Sequence, residues 1–523
     1  MEDLKNVSNT TEDPEVLYND LNQEQKQAHD MIFKACQDLQ EGIESSTDGG
    51  DGIGRLQLLL GKGGTGKSFN LDAVITSLKS RLNFSRENYS KHGTTGIAAT
   101  NINGTTIQNW RTGLGFFGDS VQPLSGTTLA EMQEKWKDCK LIIIDEFSML
   151  RQRELFFIDQ RLRQIMCSDK AFGGIVVVLV GDPAQLPPVQ GKCLWDKKPR
   201  NQSPDWFGLQ LYQQFSCAIK LKESKRLDPN DPDSVRYDKF LDRLRNGKNT
   251  HADWEYFRDL GSQDTISANE WKERGFDEDN VVHLYQTNRE VAERNLRCLK
   301  KLQLPIVRVE ARTTGDGRKA PSSQAGGLLL SLYLCIGSLV ILTSNVAQNV
   351  GLCNGATGKV IAIVYNAECP PPGLPLYVII DFGSAYSGPP FFGDDPSRAG
   401  YVPIFPQCAE WYTPSASSND FSTNSRVMLP ICLCYAWKIW KIQGQTLKSK
   451  VVASLGKKEA DHGLTYTVFS RVTKASDLGI IGGFPKDRLI TKVANHSKMK
   501  PRIEEERRLQ RIVNSTKAFL ARN

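Results

Sequence analysis

Gly61–Ser68 reads G-K-G-G-T-G-K-S. The spacing is that of G-x-x-x-x-G-K-[ST], a phosphate-binding loop. Its flanks suit it. Leu56–Leu60 (L-Q-L-L-L) is a short apolar run with the character of a buried strand, and the residues from Ser68 (S-F-N-L-D-A-V-I-T-S-L) carry helical spacing. A strand that bends through glycines into a helix turns backbone N–H groups and the helix N-terminus toward one point, which suits a polyphosphate. Gly61, Gly63, Gly64, Thr65 and Gly66 form the cradle. Lys67 is placed to reach the β- and γ-phosphates, and the Ser68 hydroxyl to ligate Mg²⁺.

Working outward, Leu141–Glu146 (L-I-I-I-D-E) is a β-rich run that ends in two carboxylates. In a P-loop protein Asp145 at the strand end holds the metal, and Glu146 polarises the attacking water. Ile175–Val180 is another buried strand, followed by G-D-P-A-Q-L-P-P-V, in which Gln185 is the candidate γ-phosphate sensor. Upstream, L-N-Q-E-Q opens a helix with Asn22 as N-cap. Gln25 there is placed to hydrogen-bond an adenine edge, although an exposed helical glutamine is the commoner outcome. Gly93–Trp110 is rich in small and hydroxyl residues, which let a nucleic-acid backbone approach or simply pack a turn under the sheet. Residues 151–166 predict an amphipathic helix with a solvated arginine face.

The bulk numbers bound the rest. At 523 residues, two to four domains are expected. Composition is ordinary for a globular protein, and the acidic, polar start M-E-D-L-K-N-V-S is not a secretory or transit signal. The 12 cysteines are scattered without C-x-x-C, as are the six histidines, so neither a zinc site nor a disulfide framework is expected. A reducing intracellular compartment follows, the nucleus first and the mitochondrion among the alternatives. The uncharged stretch between Lys319 and Lys359 is too broken by Ser331, Gly337 and Ser338 for a membrane span; two strands turning at Gly337-Ser338 fit better. The net charge of +7 sits entirely in residues 486–523, with 11 Lys/Arg against 4 Asp/Glu. Global basicity is therefore no evidence of nucleic-acid binding by the core.

In the second half, Val281–Tyr285, a helix from Asn288, Val451–Leu455, Tyr466–Arg471 and Leu478–Ile481 read as a second αβ set. Short strands with Gly and Pro between its halves read as a small β-barrel insert. Trp437–Leu447 (W-K-I-W-K-I-Q-G-Q-T-L) interleaves lysines with aromatics, which suits single strands; a buried aromatic helix with snorkelling lysines competes with that reading.

The ordered motifs resemble superfamily 1 helicases, most closely the petite-integration-frequency family, class B relatives of RecD. L-N-Q-E-Q resembles the Q motif and G-K-G-G-T-G-K-S motif I. T-T-G-I-A-A with G-T-T-I-Q resembles motif Ia and its neighbour, I-I-D-E-F-S-M-L motif II, and G-D-P-A-Q-L-P-P-V motif III. K-E-S-K-R is similar to motif IV, K-I-Q-G-Q-T-L to motif V and Y-T-V-F-S-R-V to motif VI. The resemblance covers roughly residues 20–485. It implies an α/β fold with two RecA-like lobes and a small SH3-like β-barrel insert in the second. The expected parts are a disordered tail at 1–20, lobe one at 21–227 with a wedge-like insertion near 104–132, lobe two at 228–334 and 430–485, the insert at 335–429, and a basic C-terminal tail at 486–523.

The same resemblance implies ATP with Mg²⁺ as cofactors and 5′→3′ unwinding by a monomer on single-stranded and forked duplex DNA. Roles in repair, recombination and telomere maintenance go with it; a membrane does not. Arg471 is implied as the arginine that reaches the γ-phosphate from lobe two, with Arg226 a second candidate. Gly444 joins the nucleotide site, while Thr95, Gly96, Thr106, Gln108, Lys441 and Gln443 are implied to touch DNA. Departures cluster in motif V, where Lys438, Trp440 and Ile442 replace the usual T-I-H-K-S-Q-G pattern, and at Gln108, where the family has histidine. These departures leave open an ATP-switched clamp or remodeller that does not unwind, and an inactive helicase derived from a mobile element. A small-molecule P-loop kinase would leave residues 200–480 without a role.

Overall fold

The computed structural model describes residues 14–45, 51–107, 121, 123–225, 228, 230–277, 281–322, 325–347, 350–393, 395–414, 421–447 and 449–522. The chain divides into two compact units. One comprises Glu12–Ala268, Ile439–Lys450 and Leu455–Asn523, the other Asn269–Lys438 and Val451–Ser454.

The first unit is built on a six-stranded sheet: β1 (Leu56–Gly61), β2 (Tyr89–Gly93), β3 (Thr105–Thr106), β4 (Leu141–Asp145), β5 (Val176–Gly181) and β6 (Cys217–Leu221), in the order β3-β2-β4-β5-β1-β6. Every pairing is parallel. Residues of β1, β4 and β5 are buried throughout, as expected when helices cover both faces of a parallel sheet. Alternation sorts their side chains. Leu59, Leu141, Ile143, Val176 and Val178 face helices α1 (Gln23–Gln40) and α2 (Lys67–Leu82). Leu58, Leu60, Ile142, Ile144, Val177 and Leu179 pack with Leu155, Ile158 and Leu162 of the helix Gln152–Ile165.

Asn22 caps α1 as expected, in a reciprocal pair with Gln25. The helix at 152–165 also matches, but its arginines do not form a wholly solvated face. Arg161 is buried, and Arg153 and Arg163 pair with Asp205 and Asp159.

Two expectations about the ends are corrected. Most of the acidic tail at 1–20 lies outside the described residues, but Tyr18–Asp20 forms a turn and Val16 packs against Ala73. The basic tail at 486–523 is not loose chain. Met499–Leu520 is a 22-residue helix. Met499, Arg502, Glu505, Leu509, Val513 and Thr516 recur at helical spacing and are its buried face. Leu509 and Val513 enter the core of the P-loop sheet, and Thr516 Oγ1 accepts from the β6 residue Ala218 at 3.0 Å. Net charge concealed this amphipathic period. The first unit also takes in the helices Pro232–Arg245 and His251–Gly261, beyond the expected boundary at 227. Of the insertion expected near 104–132, residues 108–120 and 122, including Trp110, Phe116 and Phe117, lie outside the described residues; Gly126–Trp136 is helical.

In the second unit, Val282–Tyr285 pairs in parallel with both Ala436–Lys438 and Val451–Ser454. A five-stranded antiparallel sheet runs Tyr401–Ile404, Tyr377–Asp381, Thr357–Val364, Leu339–Leu342, Ile431–Leu433. Alternate residues of Tyr377–Asp381 and Tyr401–Ile404 are buried, the mark of one covered face. Ser331–Leu334 and Leu339–Leu342 are separate strands with Gly337 at φ 83° between them, so the uncharged stretch turns where expected. No helix among the described residues is long and apolar enough to cross a membrane.

Candidate active site

The phosphate loop follows β1 directly. Gly64 and Gly66 sit at φ 85° and 80°, a region that favours glycine. A Cβ on Gly66 would also stand 2.5 Å from Gln25 Nε2. Gln25 is buried against the loop, where its Nε2 donates to Thr65 O at 3.4 Å and its Oε1 accepts from Asn22 N at 3.0 Å. Lys67 opens α2, and its ammonium donates to Gly61 O at 2.9 Å and Lys62 O at 3.1 Å. Ser68 is half-buried on the first turn.

Lys62 is a feature the motif does not specify. Its ammonium lies 3.0 Å from Asp238 and 2.8 Å from Asp242, both on the helix Pro232–Arg245. Burial alone would lower its pKa, but the two carboxylates raise it above the usual lysine value.

Asp145 and Glu146 stand at the end of β4, with Glu146 in the left-handed region at φ 56°. Both are buried. Desolvation, then the adjacent Glu146 charge, push the Asp145 pKa up to about 7, against a lowering by Lys67 and by the Glu146 N–H. Two adjacent buried carboxylates resist ionising together, and a divalent cation relieves that opposition. The donor set of Ser68 and Asp145 therefore fits Mg²⁺ arriving with a polyphosphate. Glu146 is held from two directions. Its backbone carbonyl accepts from Thr94 Oγ1 at 3.0 Å, and its carboxylate accepts from Gln443 Nε2 at 3.1 Å.

The turn after β5, the strand paired with β4, carries Asp182 and Gln185. Asp182 is wholly buried, accepting from Arg245 at 2.6 Å, Tyr466 OH at 3.0 Å and Ala184 N at 3.0 Å. Burial would raise its pKa, but Arg245 chiefly, with Ala184 N–H and Lys67, holds it well below the usual carboxylate range. Gln185 is buried, and its Oε1 has no hydrogen-bond partner among the described residues.

Arg471 belongs to the same compact unit as the phosphate loop. It follows the helix Leu464–Phe469, which the sequence left as an αβ segment. The residue is 1% exposed, and its guanidinium donates to Gln445 O at 3.2 Å and Ser470 Oγ at 3.0 Å, leaving Nε without a partner among the described residues. Burial lowers its pKa; Glu146 leads the charges that oppose this. Tyr466, Ser470 and Val472 line a narrow crevice with Lys62 and Gly63.

The remaining candidates are scattered. Thr95 Oγ1 accepts from Ala98 N at 3.1 Å at the start of the helix Gly96–Asn101. Thr106 lies on the edge strand β3, and Lys441 is exposed. Gln108 and Arg226 lie outside the described residues. Gln443 is not at the surface: it is 1% exposed, with its amide turned to Glu146 and Ser148. The Trp437–Leu447 stretch buries Trp437, Ile439 and Ile442 in a strand and a 3-10 turn rather than a helix. Sequence reasoning missed Lys62, which fills a position the loop motif leaves free, and Arg245, which lies outside every motif.

Residues 20–255 match the PIF1-like helicase family. The chain is 28% identical over 321 residues to the ATP-dependent DNA helicase Pif1 of Psychrobacter sp., covering 59% of this chain and 44% of that one. It is 26% identical over 314 residues to the ATP-dependent DNA helicase RRM3 of Saccharomyces cerevisiae, covering 58% and 39%. The chain thus spans less than half the length of these two relatives. Its fold is similar to the crystal structure of Pif1 helicase from Candida albicans, at a TM-score of 0.63 and 24% identity over 94% of this chain and 99% of that one.

Proposed function

We propose that the protein is an ATP-dependent DNA helicase that moves 5′→3′ on single-stranded DNA and opens forked duplexes, a reading supported by the match of residues 20–255 to the PIF1-like helicase family. The observation that carries this reading is the gathering of Lys67, Asp145, Glu146, Asp182, Gln185 and Arg471 in one compact unit, with electrostatic influence linking Lys67, Asp145, Glu146, Asp182 and Arg471. On this reading the P-loop sheet is one RecA-like lobe, the parallel strands Val282–Tyr285, Ala436–Lys438 and Val451–Ser454 belong to the second, and the five-stranded antiparallel sheet is the SH3-like insert.

ATP would lie along Gly61–Ser68, with Gln25 bracing the loop and Gly444 beside Glu146. Ser68 and Asp145 would hold Mg²⁺, which neutralises charge on the β- and γ-phosphates. Lys67 exchanges its loop carbonyls for phosphate oxygens. Water attacks the γ-phosphorus, the bond to the ADP oxygen breaks, and Glu146 takes the water's proton. Gln185 and Arg471 contact the γ-phosphate, with Arg226 a further candidate. Thr95, Gly96, Thr106, Gln108 and Lys441 are the proposed strand contacts, in a monomer working in the nucleus or another reducing compartment. The test is phosphate release with and without single-stranded DNA, together with strand release from a fork bearing a 5′ overhang. DNA-stimulated turnover with strand release supports the helicase; turnover indifferent to DNA sinks it.

A second reading, an ATP-switched clamp that does not unwind, draws on motif V. Trp437, Ile439 and Ile442 are buried there, so few side chains of the stretch face a strand. DNA-stimulated turnover without strand release would favour it.

A further inference from the structure

We infer that Gln443 is a positioning residue for hydrolysis: its amide fixes the Glu146 carboxylate and offers its own carbonyl oxygen to the attacking water. The inference deepens the ATPase reading and rests on it. Gln443 Nε2 lies 3.1 Å from Glu146 Oε2 and 2.9 Å from Ser148 Oγ. An ionised carboxylate only accepts hydrogen bonds, so the amide nitrogen must face it. The side-chain carbonyl is then left over, and Gln443 Oε1 is buried with no partner among the described residues. Buried polar atoms are rarely left unpaired, and those that are call for a ligand or a function.

The attacking water has two hydrogens. As its oxygen bonds to the γ-phosphorus and the bond to the ADP oxygen breaks, one proton passes to Glu146. The other hydrogen needs an acceptor, and Gln443 Oε1 is an unused one on a side chain already bonded to Glu146.

The backbone around Gln443 is pinned. Gly444 sits at φ 84°, and its carbonyl accepts from Asn101 Nδ2 at 2.8 Å. A Cβ on Gly444 would stand 3.4 Å from Asn101 Nδ2 and 3.6 Å from Glu146 Oε1. Thr94, just before the helix that ends at Asn101, bonds the Glu146 carbonyl. Two segments expected to meet the nucleic acid, 94–101 and 441–445, therefore both end on Glu146. A shift of either on a strand would be felt at the general base.

The experiment uses the full chain and Gln443→Leu, with ATP turnover at saturating oligo-dT and oligo-dT affinity by fluorescence anisotropy. The expected result is a kcat about 10²-fold lower, the scale of general-base positioning, with KM for ATP and the oligo-dT dissociation constant unchanged. Weakened oligo-dT binding with kcat retained would overturn the inference and make Gln443 a strand contact. Unchanged kcat and unchanged binding would overturn it equally. Absence of turnover in the unaltered protein would overturn the ATPase reading itself, a distinct failure. If Gln443→Leu does not fold, Ser148→Ala removes the amide's second anchor. A lower kcat at constant oligo-dT affinity supports the inference there, and an unchanged kcat overturns it.

Discussion

Arg245 and Arg471 are both buried, and both act electrostatically on Asp182, yet their surroundings are opposite in kind. Arg245 is charge-paired, although its Nε, like that of Arg471, has no hydrogen-bond partner among the described residues. It lies 2.6 Å from Asp182 and 2.7 Å from Glu506, and its carbonyl accepts from Arg502. Burial alone would lower its pKa, but the two carboxylates hold it well above the ordinary value. Arg471 has a backbone carbonyl and a hydroxyl for partners, and no carboxylate at ion-pair distance among the described residues. Its pKa is lowered, burial outweighing Glu146. A buried cation without a counter-charge is costly. Where a fold keeps one beside a phosphate loop, an incoming anion is the natural counter-charge. Arg245 is thus read as architecture and Arg471 as the residue waiting for the γ-phosphate.

The largest expected effect concerns the loop that would bring that phosphate. Lys67→Ala should abolish nucleotide turnover in a phosphate-release assay, and retained turnover would remove the anion that the contrast requires. Next comes the contrast itself, read in denaturant melts. Arg245→Met should destabilise the fold by about 3–5 kcal/mol, because Asp182 would remain buried without its cation, whereas Glu506 keeps Arg502. Arg471→Met should be neutral or stabilising. Equal losses at the two positions would break the comparison.

Glu506 reaches Arg245 from the C-terminal helix, so that helix should be structural too. Leu509→Ala, a wholly internal truncation, should cost about 2–5 kcal/mol, whereas a solvated tail would show no change in melting.

The smallest effect is in pH, and its sign separates the two aspartates. Asp145 has a folded pKa raised to about 7. Its contribution to stability is present below the unfolded value and is lost as pH rises toward 7. Asp182 is lowered, so its contribution is present above the unfolded value and is lost as pH falls through the folded one. On the proposed reading magnesium would bind the ionised Asp145. The Mg²⁺-dependent rise in melting temperature with ADP should therefore grow up to about pH 7 and then level off. Asp145→Asn should flatten that dependence.

What was readable in the chain follows the range of the interactions. The strand–loop–helix around Lys67, the Asp145–Glu146 pair and Gln185 are local: each is a short apolar strand followed at once by its polar residues, and periodicity and spacing suffice. Arg471 needed the whole ordered set of motifs. Arg245 was invisible, because its partners lie 63 and 261 residues away along the chain. The Met499–Leu520 helix went unread because its segment was weighed by charge, and its buried face mixes Met499, Leu509 and Val513 with Arg502, Glu505 and Thr516. Gln443 was expected at DNA through the family resemblance. Its burial depends on Gly444 and Asn101 folding the turn inward, which no spacing announces.

Phosphate release by Arg471→Ala at saturating Mg-ATP and single-stranded DNA tests the central claim most directly. Slowing by about 10³–10⁵-fold, with nucleotide affinity retained, is the expected result. A rate within about tenfold of the unaltered protein, or a loss of nucleotide binding in step with the rate, would contradict it.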